Sequence, residues 1–71
     1  MRYTVKIEFT KKVTDGTGWF TEATYEYDNI IKAVDTFNDY TTFMNMPTNA
    51  TKKGVIIDTK YNEIIAIKER K

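Results

Sequence analysis

The sequence predicts an α+β domain in which a four-stranded, mainly antiparallel sheet packs on one helix, in the order β-β-α-β-β. Three patterns support this prediction: strict apolar–polar alternation near the N-terminus, helical periodicity in the middle, and short apolar runs near the C-terminus. A chain of 71 residues has material for one hydrophobic core, so we expect residues 1–71 to form a single small domain.

The N-terminal third has the alternation of two half-buried strands. From Arg2 to Thr10, polar residues alternate with Tyr3, Val5, Ile7 and Phe9. Asp15 to Gly18 offers glycines for a hairpin turn, and the alternation resumes from Trp19 to Tyr27. The residues expected on the side away from the helix are Phe20, Glu22, Thr24 and Glu26, unless a bulge near Gly18 reverses the start of the strand.

The segment from Asn29 to Met44 has helical periodicity. Its apolar residues recur at three- and four-residue steps: Ile30, Ala33, Val34, Phe37, Tyr40 and Met44. Asp28 or Asn29 can cap the first turn by accepting a backbone N–H. Asp35 and Asp39 fall on the opposite side, so we expect one buried face and one acidic exterior.

The C-terminal third predicts a second hairpin. Asn45 to Lys53 reads as a polar connection, Gly54 to Lys71 as the hairpin with its turn at Thr59–Asn62, and Lys68 to Lys71 as a frayed end. In the last strand, alternation places Ile65 and Ile67 on one face and Ile64 and Ala66 on the other.

Apolar residues on both faces of this hairpin are typical of strands covered on two sides. Because one helix covers one face, we expect Ile56, Ile64 and Phe20 to need a second cover. Either the tail and the long connection fold over these side chains, or another chain does.

Composition restricts the chemistry. The sequence has no Cys and no His, and it also lacks Ser, so the commonest nucleophiles, the usual general base and the preferred zinc ligands are missing. A carboxylate pair or a lysine would need a water-excluding pocket, which so short a chain can hardly enclose. We therefore expect no enzyme activity, no cofactor and no metal site.

No apolar run approaches the length of a membrane-spanning helix. The absence of Cys gives no indication of an oxidising compartment. We expect a cytoplasmic protein without a membrane partner.

The net charge of +1 conceals a segregation along the chain. Acidic residues cluster between residues 15 and 39, whereas most lysines lie outside this stretch. An acidic helix exterior and second strand could bind a basic groove on a protein partner. If the loop and tail lysines converge instead, they could hold single-stranded nucleic acid or a nucleotide, with Trp19 or Tyr61 stacking on bases. An ordinary mixed-charge surface, with the aromatic residues filling the core, is the third interpretation.

The composition and the hairpin from Val55 to Ile67 resemble those of small accessory proteins of low-GC bacteriophages and related mobile elements. The resemblance implies a non-enzymatic protein that binds and blocks a host protein, including components of antiviral defence, in the cytoplasm of the host cell. We expect its partner surface to be the exposed sheet face or the helix exterior, through Phe20, Glu22, Glu26, Asp35, Asp39, Ile56 and Ile64. The alternatives are a module for single-stranded nucleic acid or a nucleotide, and a self-associating structural protein that forms a homodimer by burying Ile56 and Ile64.

Overall fold

The structure is a computed structural model and describes residues 1–12, 18–42 and 50–70. In these ranges the chain forms β1 (Tyr3–Lys12), β2 (Gly18–Tyr27), α1 (Ile30–Tyr40), β3 (Ala50–Asp58) and β4 (Glu63–Arg70). The strands form one antiparallel sheet in the order β2-β1-β3-β4, with β2 and β4 at its edges. The predicted α+β fold is confirmed.

The core lies between α1 and the two central strands. Val5 of β1 lies directly between Tyr25 of β2 and Ile56 of β3, and directly opposed residues of antiparallel strands share a face. This helix-facing side carries the apolar alternation of β1 that the sequence predicts. The buried cluster consists of Val5, Ile7, Ala33, Phe37 and Ile56.

Helix α1 begins as expected and ends earlier than expected. The Asn29 side chain accepts a hydrogen bond from the Ile31 backbone N–H at 2.8 Å, which confirms the predicted cap. The helix ends at Tyr40, so the predicted end at Met44, which itself lies outside the described residues, is wrong. Thr41 closes the last turn, since its backbone N–H and its hydroxyl both donate to the Phe37 carbonyl, at 3.0 and 2.6 Å.

The predicted apolar stripe of α1 is buried only along its centre. Ala33 and Phe37 are buried, whereas Ile30, Val34 and Tyr40 remain exposed. A helix lying on a flat sheet contacts it through a narrow line of side chains, and the residues flanking that line have no further layer to cover them. Tyr40 is held at the margin by stacking on Tyr25, with ring centroids 5.3 Å apart.

Two segments that the sequence suggested were irregular belong to strands. Ala50 to Lys53, expected in the polar connection, pairs with β1 from Lys11 to Glu8. Lys68 to Arg70, expected to fray, pairs with β3. Backbone hydrogen bonds do not depend on side-chain polarity, so the pairing of β3 with β1 continues through the threonine and lysine residues of β3.

Ile56 corrects the expected arrangement of the C-terminal hairpin. It is 1% exposed and faces α1 opposite Val5, so it needs no second cover. A bulge in the β3–β4 ladder makes Ile56 oppose Ala66 but Ile57 oppose Ile64, which leaves Ile65 without a directly opposed residue. Strict alternation fails at this extra residue, so Ile64 and Ala66 lie on different faces.

Gly54 allows α1 to approach β3 closely. A Cβ atom at this position would collide with Cγ2 of the buried Thr41, and it would lie 3.2 Å from Ile7 Cδ1 and 3.3 Å from Phe37 Cε2. Thr41 cannot rotate away freely because its hydroxyl is bonded to the Phe37 carbonyl. The close packing at this point therefore requires a residue without a side chain.

We predict that Gly54→Ala lowers the free energy of unfolding by about 1–3 kcal/mol, because the added methyl overpacks this contact. Urea unfolding followed by far-UV circular dichroism measures the change. Thr51→Ala, on the exposed side of the same strand, is the control and should change stability by less than about 0.5 kcal/mol. A Gly54→Ala protein as stable as the parent would show that α1 does not lie this close to β3.

Candidate functional site

The side of the sheet that faces away from α1, here called the outer face, carries an apolar area formed by β3 and β4. Ile57 lies directly opposite Ile64, and Val55 lies directly opposite Ile67. We call Ile57, Ile64 and Ile67 the isoleucine patch. Ile64 is 61% exposed and Ile67 is 57% exposed, whereas Ile57 is half-buried. The patch is therefore an open surface on the edge of the sheet.

The other half of the outer face is acidic. Glu8 of β1 opposes Glu22 of β2, and Glu26 lies further along the same face of β2. We call these three carboxylates the acidic strip. Lys6 forms a 3.9 Å ion pair with Glu22. Like charges placed directly opposite each other destabilise a sheet, and here Lys6 beside Glu22 and Lys53 opposite Glu8 offset part of that repulsion.

Phe20 lies on the outer face, as predicted, and is 56% exposed. The β1–β2 register is continuous from Gly18 to Tyr27, so no bulge reverses this strand. Phe20 directly opposes Thr10 at one corner of the sheet. Ile64 directly opposes Ile57 at the diagonally opposite corner. The two side chains are roughly 25 Å apart by strand spacing and rise, and they do not form one site.

The helix exterior combines acidic and apolar residues. Asp35 and Asp39 are both exposed, as predicted. Ile30, Ile31 and Val34 form a shallow groove of about 190 Å³ beside Asp35. This surface is separate from the isoleucine patch, because α1 and the patch lie on opposite sides of the sheet.

An ion pair between Arg2, which precedes β1, and Asp58, at the end of β3, joins the N-terminal residues to the β3–β4 turn. The guanidinium donates from Nε to Oδ1 at 3.1 Å and from Nη2 to Oδ2 at 3.0 Å, so the pair is bidentate. The same carboxylate accepts the Lys60 backbone N–H at 3.0 Å. The hydrogen bonds from Arg2, together with that from Lys60, outweigh burial and hold the pKa of Asp58 below its ordinary value.

Basic residues lie at both ends of the described sheet. Lys60 and Arg2 lie over the Tyr61 ring, at 5.4 and 5.5 Å from its centroid. Lys52 and Lys53 lie near the other end of β3, roughly 20 Å away by strand rise. The Trp19 side chain lies outside the described residues. Lys11 directly opposes Trp19 in the β1–β2 ladder, so the expected nucleic-acid surface of lysines around a stacking residue stays a prediction.

A second groove lies where β3 begins and β4 ends, and its volume is about 240 Å³. It contains charges of both signs together with two threonine hydroxyls. Its lining residues are Glu8, Thr10, Thr51, Lys52, Lys53, Glu69 and Arg70. Sequence reasoning missed this groove because Arg70 was assigned to a frayed end.

Ile57 and Ile67 were also missed as members of the outer surface. Alternation from Ile64 assigns Ile67 to the opposite face, and only the bulge brings it to the same side. The continuous apolar run in the sequence was the one available signal, and it does not distinguish the two faces.

In the ranges 1–12, 18–42 and 50–70, no three residues of the types Asp, Glu, His and Cys group together so as to hold a metal ion. Helix α1, with 11 residues, is too short to cross a membrane, and the described residues contain no longer one.

The sequence matches no protein-family model, and comparison with curated proteins and with solved structures finds no significant similarity.

We predict that Asp58 makes stability pH-dependent in acid. Its folded pKa lies below the ordinary value of 3.8, so its contribution is complete above that value and is lost as pH falls through the folded pKa. Asp58→Asn should therefore be less stable than the parent at pH 7, and the difference should shrink towards pH 2. Urea unfolding at pH 7, 4 and 2 measures it.

Asp35→Asn, which changes an exposed carboxylate on α1, is the control for this experiment. The control should differ from the parent by less than about 0.5 kcal/mol at pH 7. A constant difference between Asp58→Asn and the parent from pH 7 to pH 2 would contradict the role given to the ionised carboxylate.

Proposed function

We propose that the protein is a non-enzymatic binding protein that acts by holding another protein against its isoleucine patch. The observation that carries the proposal is the exposure of Ile64 and Ile67, which are neighbours on the outer face of an edge strand. Exposed isoleucine on an edge strand favours aggregation, and natural proteins usually protect such edges with charge or a covering element. A bound partner would supply that cover.

The acidic strip specifies the chemistry of the partner. Glu22 and Glu26 lie on the same face as the patch, across β1 and β3. A partner that covers both areas would present apolar side chains next to basic ones. The apolar contact would provide most of the affinity, and the charges would provide orientation and association rate.

A different protein fits this surface better than a second copy of the chain. On the outer face, Lys6 already pairs with Glu22, and Lys53 lies directly between Glu8 and Glu69. A second copy facing this surface would therefore have few basic groups to offer the acidic strip. Nucleic acid is disfavoured on the same face because its phosphates would be repelled by the strip.

The resemblance to phage and mobile-element accessory proteins supports a host protein as the partner, and inhibition as the result of binding. On this proposal the protein works in the cytoplasm of the host cell. Components of antiviral defence are the targets that the resemblance favours.

The proposal is tested by capturing the partner from a bacterial lysate and by measuring whether capture depends on the isoleucine patch. We expect the parent chain, immobilised through its N-terminus, to retain one protein specifically and Ile67→Lys to lose it. Ile31→Lys makes the same chemical change at an exposed isoleucine of α1, so it is the matched control and should retain the partner.

The captured protein would then be purified and its affinity measured by calorimetry. We expect Ile67→Lys to weaken binding at least tenfold, which corresponds to about 1.4 kcal/mol. Equal capture by both variants would contradict a site on the outer face. Loss with Ile31→Lys alone would move the site to the helix exterior, and a parent chain that is dimeric in sedimentation while Ile67→Lys is monomeric would make the partner a second copy.

The acidic strip gives a separate prediction on kinetics. Glu26→Lys should slow association with the purified partner and reduce the dependence of the association rate on salt, because it removes electrostatic steering. Surface plasmon resonance at several salt concentrations measures both effects. Asp39→Lys makes an equal charge change on α1 and should leave the association rate close to that of the parent. Identical rates for Glu26→Lys and the parent would show that the strip does not face the partner.

A further inference from the structure

The isoleucine patch lies on an edge strand, so the direction of the β4 backbone groups decides how a partner can be held there. The Thr59 backbone N–H donates to the Arg2 carbonyl at 2.8 Å, one position beyond the end of the β1–β3 ladder. Hydrogen-bonded and non-hydrogen-bonded pairs alternate along an antiparallel ladder. The hydrogen-bonded pairs of β1 with β3 are therefore Thr4 with Ile57 and every second pair after it.

The remaining residues of β3 direct their backbone N–H and C=O groups to β4. Gly54 and Ile56 are of this kind, and Lys68 and Ala66 directly oppose them. The backbone groups of Lys68 and Ala66 thus face β3, whereas Ile67, which lies between them, directs its N–H and C=O away from the sheet. Among the described residues, no strand pairs with β4 on this side.

The two edges of the sheet differ in the side chains beside their outward backbone groups. On β2 the outward positions include Glu22 and Glu26, which oppose β1 residues whose backbone groups face β3. Charged side chains of this kind discourage pairing at an edge. On β4 the outward position is Ile67, with Ile64 near it on the same face, and both are exposed. Of the two edges, β4 is the one open to another strand.

The bulge at Ile65 interrupts the ladder, so regular pairing at the β4 edge is limited to residues 66–70. Within this range the Lys68 side chain lies on the helix-facing side, and the Glu69 side chain lies on the outer face. A strand complementary to this edge would have an acidic residue opposite Lys68, a basic residue opposite Glu69 and an apolar residue opposite Ile67.

We propose that the partner is held by strand addition, in which an extended segment of another protein pairs antiparallel with residues 66–70 as a fifth strand of the sheet. Main-chain hydrogen bonds to Ile67 contribute affinity, and the alternating apolar, acidic and basic residues of the segment contribute selectivity. This mode of binding rests on the proposed function. A partner that covers the isoleucine patch without backbone pairing would leave the function intact and make strand addition wrong.

Amide hydrogen exchange of the full chain, measured by ¹H–¹⁵N NMR, tests the direction of the backbone groups. We expect the Ile67 amide to exchange roughly tenfold faster than the amides of Ala66 and Lys68, because only the latter two bond to β3. Equal protection of the three amides would overturn the proposal.

The probe for binding is the synthetic peptide Thr-Lys-Glu-Ile-Thr-Ile, which in antiparallel pairing places lysine opposite Glu69, glutamate opposite Lys68 and isoleucine opposite Ile67. We expect saturable shifts of the β4 amides and roughly tenfold slower exchange of the Ile67 amide in the complex. The peptide Thr-Glu-Lys-Thr-Ile-Ile has the same composition but sets like charges opposite each other, so it is the control and should bind about threefold more weakly. Absence of saturable binding, or equal binding of the two peptides, would contradict strand addition.

Ile67→Pro and Ile67→Ala separate the backbone contribution from that of the side chain. Both variants remove the isoleucine, but only proline removes the N–H, and an edge strand tolerates proline where the N–H points out of the sheet. We expect Ile67→Pro to bind the first peptide about three- to tenfold more weakly than Ile67→Ala, the range for one lost hydrogen bond. Equal affinities would overturn the proposal. If Ile67→Pro does not give a folded spectrum, exchange of the Ile67 amide in the parent complex decides in its place.

The same variants distinguish strand addition from the proposed function in lysate capture. Loss of the partner with Ile67→Lys, together with equal capture by Ile67→Pro and Ile67→Ala, would keep the function and reject strand addition. Shifts of the β4 amides on dilution of the parent alone would make the added strand a second copy of the chain and reject a segment of another protein.

Discussion

One short helix covers one side of a four-stranded sheet, and most features of this protein follow from that constraint. Helix α1 has 11 residues and is roughly 16 Å long at 1.5 Å per residue. It lies over β1, β2 and β3. The described part of the chain has no second helix for the outer face. The two faces of the sheet therefore meet different surroundings, and the sequence differs accordingly between them.

The helix-facing side is small and closely packed. Ala33 and Phe37 meet Val5, Ile7 and Ile56, and contact of this kind is possible because a glycine lies beneath Thr41. A core of so few side chains leaves a chain of this size only marginally stable. Polar fastenings outside the core add to it, chiefly the bidentate pair of Arg2 with Asp58. The hydrogen bond between Tyr27 and Thr36 at 2.7 Å also holds α1 to β2.

The outer face has a different organisation, with apolar side chains on β3 and β4 and carboxylates on β1 and β2. The apolar half is not explained by the stability of the sheet, since it exposes isoleucine at an edge. This exposure is explained if the face is an interface.

The sequence by itself determined the elements and most of their faces. Alternation from Tyr3 to Phe9 and from Phe20 to Tyr27 gave two strands and placed Phe20 outside, because side-chain direction in a regular strand depends only on position. Asn29 marked the start of the helix, since capping is a local interaction. The exposed carboxylates of α1 and β2 were also predictable from periodicity.

Only the tertiary structure decided which residues of the C-terminal hairpin form the candidate site. Ile56 and Ile57 are adjacent apolar residues, and the pairing of Ile56 with Val5 across 51 positions of sequence assigns one to the core and the other to the outer face. The bulge at Ile65 then brings Ile64 and Ile67 to the same side. The register between distant strands is set by non-local pairing, and so is the position of a bulge. A run of isoleucines in the sequence therefore does not reveal the register or the bulge.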